Sequence, residues 1–391
     1  MSRWHRFLVR LIRRLYYNRV TVLHADRMPA SGPVLYLGLH RNGAVDGFVY
    51  ASVLPRATFM ISTQLRKSLL GKLFFAGIEV VRGKDEGNRE ANAQALARCR
   101  DLLKSGGELF ILPEGTSTLG PRHLPFKSGA ARVLRDALDH GVPVAAIPLG
   151  IHYESAWSFR SNVEIVVGPP VPLGGDRSEM NRRLEAALED VGVNVATAAD
   201  QERIEMLACV STLATNRSYY RTLKALEKTT PGGVAEEWEA LRVEIGKRVV
   251  FTHQRVPLIP LNLPWLHVLF LIVLGPIVLV AGLANLVPLA GGCIAGRVFP
   301  DDTNVIALWR ILVGLPLFIV WILAIAILIA VIGSPWAFAA YLAVTILGLG
   351  LYHRVRKLAV AVGNFLLHPG LRPSFLAFRE NLLKALPNEP A

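Results

Sequence analysis

The stretch Val34-Leu-Tyr-Leu-Gly-Leu39-His40-Arg41-Asn42-Gly43-Ala44-Val45-Asp46 decides the reading of the first half of the chain. Its first six residues form an apolar run with the length of a buried strand, and Asn42-Gly43 is a turn signal. Further short runs read as strands at Ala57–Ile61, Ile78–Val81, Leu109–Leu112, Val144–Leu149 and Val163–Val167. Helical patterns lie between them at 66–76, 88–105 and 129–140, the second closed by Gly106-Gly107. Strands alternating with helices predict an α/β fold, a mostly parallel twisted sheet with flanking helices.

The chain has 391 residues, 52% hydrophobic and 19% charged, with a formal net charge of +13. Such hydrophobicity excludes a disordered chain. The charge is unevenly placed: between Val256 and His353 only Arg297, Asp301, Asp302 and Arg310 are charged. A mixed α/β part is therefore followed by an all-α membrane region. Cys99, Cys209 and Cys293 are too few and too scattered for a disulfide framework or a zinc site.

Residues 1–19 read as a basic amphipathic helix lying on an anionic membrane surface. Trp4, Phe7, Leu8, Leu11, Ile12, Leu15 and Tyr16 recur at helical spacing, with Arg3, Arg6, Arg10, Arg13 and Arg14 between them. Residues 20–177 form the candidate catalytic domain and 178–255 a helical subdomain. The membrane region covers 256–353. There 263–289 is interrupted by Pro276, Gly282, Asn285 and Pro288, whereas 305–332 and 336–352 are cleaner spans. Lys247, Arg248 and Arg255 precede the region, and Arg354, Arg356 and Lys357 open a basic tail over 354–391. Basic flanks belong on the cytoplasmic side. Both termini are thus expected there, with 305–332 and 336–352 crossing and 263–289 forming a re-entrant or interfacial hairpin bent at its Pro and Gly.

Four constellations can carry chemistry. His40 ends a strand and Asp46 follows six positions on. On one helix they would lie about 120° apart. A turn at Asn42-Gly43 would instead let the carboxylate fold back, fix the imidazole tautomer and leave the other ring nitrogen as a base. Leu112-Pro113-Glu114-Gly115-Thr116-Ser117 puts backbone amides near a pocket, with Lys127 and a helix start near Gly129 able to hold an anion. Gly77-Ile-Glu-Val-Val-Arg82 sets an arginine at a strand end, suited to phosphate. Val142-Pro-Val-Ala-Ala-Ile-Pro148 could line a chain pocket.

In this order the four resemble the blocks of the glycerolipid acyltransferase family, over roughly residues 20–175. Five residues separate His40 from Asp46 where the commonest family pattern has four. That spacing, Gly150-Ile-His-Tyr153-Glu with Phe159-Arg160-Ser161, the helical stretch near 190–220 and the apolar C-terminal segments are similar to the branch acylating glycerol 3-phosphate or dihydroxyacetone phosphate. The branch acylating 1-acylglycerol 3-phosphate is the alternative. The resemblance implies transfer of an acyl group from acyl-CoA or acyl carrier protein, as co-substrate, with no metal or bound cofactor. It implies His40 as base and Asp46 as its orienting partner. Arg82, Lys127 and Arg160 would hold the acceptor phosphate, with Glu114, Gly115 and Thr116 at the substrate and either loop amides near Gly115 or the helix start after Asn42 facing the oxyanion. Partners would be membrane lipids, the donor and a glycerol phosphate acceptor, with the catalytic domain on the cytoplasmic face (the inner membrane in a bacterium). The basic balance does not point to nucleic acid, because no recognition module accompanies it. Three apolar segments are few for a transporter, and no Gly-x-Ser-x-Gly elbow supports a serine hydrolase. A catalytically inactive lipid-binding relative is the remaining class.

Overall fold

A computed structural model of the chain describes residues 2–81, 89–228, 232–332 and 334–387. The chain divides into two compact units, Met1–Asn194 with Asp301–Leu308, and Val195–Pro300 with Trp309–Ala391.

In the first unit helix α1 (Arg3–Tyr16) leads directly into strand β1 (Tyr17–Leu23). The helix pattern read over 1–19 therefore stops three residues early. Val20, Thr21 and Val22 are strand formers, and β1 pairs in parallel with a neighbouring strand. There follow β2 (Val34–Gly38), α2 (Val45–Val53), β3 (Thr58–Ser62), α3 (Leu69–Phe74), β4 (Ile78–Val80) and α4 (Arg89–Lys104). Next come β5 (Glu108–Ile111), α5 (Gly129–Asp139), β6 (Ala145–Tyr153), β7 (Ser161–Val167) and α6 (Arg177–Val191).

The strands form a seven-stranded sheet in the order β1-β7-β6-β2-β5-β3-β4. Only the β6–β7 pair is antiparallel. The expected mostly parallel sheet is present, and β1 is a strand that the sequence reading did not contain. Every residue of β2 and β5 is buried, as continuous apolar runs in a two-sided sheet require. Because β2 is parallel to both β5 and β6, the carboxyl ends of all three emerge at one edge. Open α/β sheets bind their ligands at that edge. Helix α6 was expected in the helical subdomain, but it belongs to the first unit. It buries Met180, Leu184, Leu188 and Val191 and packs against α5 and β6.

The second unit is helical: α7 (Ala198–Ser211), α8 (Tyr219–Lys228), α9 (Gly232–Gly246), α10 (Pro264–Ala284), α11 (Leu286–Val298), α12 (Ile306–Ile332), α13 (Pro335–Leu367) and α14 (Leu371–Ala385). Three segments, Pro264–Ala284, Thr303–Ile332 and Pro335–Leu367, are long and apolar enough to cross a membrane. Helix α10 runs through Pro276 and Gly282 without ending at either. The chain breaks at Asn285 instead, whose side-chain amide donates to the Ala281 carbonyl (2.9 Å) and to Thr345 Oγ1 of α13 (3.0 Å). Tyr341 donates to Asn285 Oδ1 (2.8 Å), so this buried amide is satisfied between apolar helices. Helix α13 continues past 352 to Leu367 and takes in the basic cluster 353–357. Lys and Arg favour helix, and the next proline is Pro369.

Gly38 ends β2 under two aromatic rings. A β-carbon there would stand 2.5 Å from Phe110 Cζ and 3.0 Å from Tyr50 Cε2. Both rings are fully buried, and Tyr50 hydroxyl also ties the carbonyls of Leu39 and Leu149 (3.1 and 3.2 Å). Gly38→Ala is expected to destabilise the protein by about 1–3 kcal/mol through overpacking. Thermal unfolding in detergent checks it, and an unchanged midpoint would mean that the rings move aside freely.

Candidate active site

The chain leaves β2 through Leu39, whose amide continues onto the Leu149 carbonyl (3.0 Å), and reaches His40. Gly43 then adopts a positive φ of 55°, which favours glycine, and α2 begins two residues later. This turn brings Asp46, in the first turn of α2, back under His40. Asp46 is fully buried, and four donors converge on its carboxylate. Oδ2 accepts from His40 Nδ1 (2.9 Å), Arg41 N (2.6 Å) and Asn42 N (2.8 Å). Oδ1 accepts from the Tyr153 hydroxyl (2.6 Å). Two of the Oδ2 donors are amides, so Asp46 can only be the acceptor and His40 Nδ1 carries the hydrogen. Nε2 is thereby left as the basic nitrogen.

The second loop leaves β5. Glu114 is 1% exposed, and each of its oxygens accepts a backbone amide: His40 N on Oε1 (2.7 Å) and Leu124 N on Oε2 (3.1 Å). Burial raises its carboxyl above the usual range, and the two amide bonds pull it partly back. The Thr118 amide donates to the His40 carbonyl (3.2 Å), so the two loops brace each other. Gly115, at φ 69°, donates its own amide to Leu112 O (3.1 Å) and is spent in a turn. The amides of Thr116 and Ser117 make no bond within the protein among the described residues. Lys127 is exposed, and its ammonium lies over Gly115, 2.5 Å from where a β-carbon would stand.

The structure thus brings together His40, Asp46, Glu114, Gly115, Thr116 and Lys127. Arg82 lies outside the described residues. Arg160 is placed elsewhere: its Nη1 donates to the carbonyls of Arg14 and Tyr17 (2.7 Å each), pinning the junction of α1 and β1. Glu114 braces the backbone of both loops. Sequence reasoning missed the role of Tyr153, which lies far along the chain and reaches Asp46 only because β6 neighbours β2. It also missed Asn304 of the Asp301–Leu308 segment. Asn304 is buried and donates to the Ser117 carbonyl (3.0 Å), and its own carbonyl blocks any β-carbon on Gly43 at 2.9 Å. Tyr153 entered the sequence reading only as part of the stretch from Gly150 to Glu154, and no motif marks Asn304.

Residues 19–151 match the Acyltransferase family. Over 91 residues the chain is 34% identical to glycerol-3-phosphate O-acyltransferase 2 of Saccharomyces cerevisiae, covering 23% of this chain and 12% of that protein. Over 136 residues it is 25% identical to a 1-acyl-sn-glycerol-3-phosphate acyltransferase of Chlamydomonas reinhardtii, covering 34% of this chain and 40% of that one. The chain thus spans less than half the length of either relative. The crystal structure of a 1-acyl-sn-glycerophosphate acyltransferase from Thermotoga maritima aligns at 18% identity with a TM-score of 0.36, over 47% of this chain and 75% of that one. His40, Asp46 and Glu114 all fall within the matched segment, whereas Tyr153 lies just beyond it and Asn304 far beyond it.

The raised Glu114 carboxyl sets a pH dependence. An acid whose folded pKa exceeds its unfolded value binds more protons when folded, so its contribution falls as pH rises from about 4.5 through the raised value. Glu114→Gln should remove that slope while lowering stability by about 1–3 kcal/mol, because its amide nitrogen would face a backbone N–H. The difference between the wild-type and variant melting profiles from pH 4 to 8 checks both. A constant difference would show that Glu114 does not titrate there.

Proposed function

We propose that the protein is a membrane-bound O-acyltransferase that moves a fatty acyl group from a thioester, acyl-CoA or acyl carrier protein, to the sn-1 hydroxyl of glycerol 3-phosphate or dihydroxyacetone phosphate. The observation that carries this reading is the His40–Asp46 pair, with Nδ1 committed to the carboxylate and Nε2 left as base. In the proposed step Nε2 takes the acceptor hydroxyl proton as that oxygen attacks the thioester carbonyl. Asp46 stabilises the resulting imidazolium, worth about 10²–10⁴-fold together with positioning of the base. Collapse of the tetrahedral intermediate expels the thiolate, which takes up the proton and leaves as thiol. The free amides of Thr116 and Ser117 are the donors we assign to the oxyanion. Lys127, with Arg82 on the sequence evidence, holds the acceptor phosphate. The pathway class is phospholipid synthesis, and the thioester donor supplies the activation, so no cofactor enters the scheme.

The yeast relative supports glycerol 3-phosphate as acceptor. The longer match to the algal 1-acyl-sn-glycerol-3-phosphate acyltransferase supports the second reading, in which the acceptor already carries one chain. The basic flanks of the apolar region favour a catalytic domain on the cytoplasmic face, with both termini there and 263–289 not crossing. Tag-accessibility mapping that found the termini on opposite faces would instead make α10 a third crossing.

The deciding experiment is thiol release from palmitoyl-CoA by the purified protein in detergent, with glycerol 3-phosphate, dihydroxyacetone phosphate, 1-acylglycerol 3-phosphate or no acceptor. His40→Ala should lower the acceptor-dependent rate by at least about 10²-fold with the melting midpoint retained. Activity within tenfold of wild type would remove His40 from the role of base. Release only with the 1-acyl acceptor would select the second reading.

A further inference from the structure

The first unit carries an apolar surface that its fold does not use. Helix α3 is short but firmly built. Ser68 caps it by accepting from Gly71 N (2.9 Å), and Gly71 sits so close to the Leu65 carbonyl that no side chain fits. Its inward residues pack: Phe74 and the following Phe75 lie against Phe48 of α2, with ring centroids 6.3 and 5.2 Å away. Its outward residues are Leu69, 84% exposed, with Leu70 and Leu73. Helix α1 extends the same surface. It buries Leu8, Val9, Ile12 and Tyr16 but leaves Trp4 and Phe7 outside, their tilted rings 6.0 Å apart. Trp4 Nε1 donates to the Leu73 carbonyl (3.0 Å), which joins the two helices into one patch.

The rim is predominantly basic. Exposed Arg3, Arg6, Arg10, Lys67 and Lys72 lie on or beside the two helices. No Asp or Glu occurs before Asp26 or between Arg56 and Ile78. Glu79, the nearby acid that the structure records, is neutralised by its ion pair with Arg66. An apolar patch bordered by an excess of cations matches the chemistry of an anionic bilayer, with a hydrocarbon layer under negative headgroups. A soluble face would not hold three leucines outward on a capped, well-packed helix.

We propose that Leu69, Leu70 and Leu73 of α3, together with Trp4 and Phe7 of α1, insert into the headgroup–acyl boundary of an anionic membrane. The acyltransferase domain thus has its own docking face, independent of the apolar helices of the second unit. Helix α3 packs on α2, which carries Asp46, so this face borders the element that builds the site.

The test uses the full chain with Cys293→Ser, which leaves only the buried Cys99 and Cys209. An environment-sensitive fluorophore is placed on Leu69→Cys, on Leu73→Cys and, as control, on Arg132→Cys, an exposed position of α5. Each protein is reconstituted into phosphatidylcholine vesicles with and without phosphatidylglycerol, carrying a nitroxide lipid labelled near the headgroup. We expect at least about twofold quenching at 69 and 73 with phosphatidylglycerol, weaker quenching without it, and none at 132. Probes at 69 and 73 that stay in water, or quenching indifferent to phosphatidylglycerol, would overturn the proposal. So would shielding from water without quenching, the result that a second copy of the chain on this face would give. The readout is independent of turnover, so it stands whether or not the proposed acyl transfer is observed.

Discussion

Asp46 is removed entirely from water, and a buried carboxylate must recover its solvation from fixed donors. Four groups supply it: one imidazole, two consecutive amides and one phenol. Each donor constrains a different part of the fold. The amides of Arg41 and Asn42 can converge on one oxygen only if the chain turns at Gly43. The imidazole must place Nδ1, not Nε2, toward the acid. The phenol must come from the end of β6, which requires β6 beside β2. The tautomer of His40, the start of α2 and the strand order therefore follow from satisfying a single charge.

Glu114 applies the same logic to the neighbouring loop. Its two oxygens take the amides of His40 and Leu124, segments 84 residues apart in the chain. The parallel pairing of β2 with β5 makes this possible, because both strands run out at the same sheet edge. The acid of the Pro-Glu-Gly-Thr loop therefore acts on His40 through its backbone, complementing Asp46, which acts through the ring. The amides of Thr116 and Ser117 after Gly115 are left free, and the ammonium of Lys127 lies over Gly115.

The sheet was legible because its central strands are uninterrupted apolar runs, and the His40–Asp46 meeting was legible because Asn42-Gly43 announces a turn. What escaped the sequence was whatever depends on partners distant in the chain. Strand β1 hides behind an amphipathic helix, and only its pairing with β7 reveals it. Arg160 looked like a phosphate ligand because a guanidinium in a loop has that chemistry. Its neighbours Arg14 and Tyr17 offer carbonyls, and a buried guanidinium takes the donors' partners nearest to it. Asn285 broke the apolar stretch where Pro276 was expected to. A proline inside a long helix costs one hydrogen bond, whereas Asn285 redirects its amide to the backbone of Ala281 and across to Thr345.

Gly43 shows how tightly the site is determined. Its positive φ alone favours glycine, and the Asn304 carbonyl separately forbids a side chain there. Val305 lies against the same spot, and the Asn304 side chain holds the Ser117 carbonyl of the opposite loop. A segment more than 250 residues downstream of His40 thus closes over both loops that build the site. That segment runs without interruption into α12, one of the three helices able to cross a membrane. The covalent path from α12 to Asn304 is therefore short. A residue that must be glycine for two unrelated reasons is where that path meets the turn on which Asp46 depends.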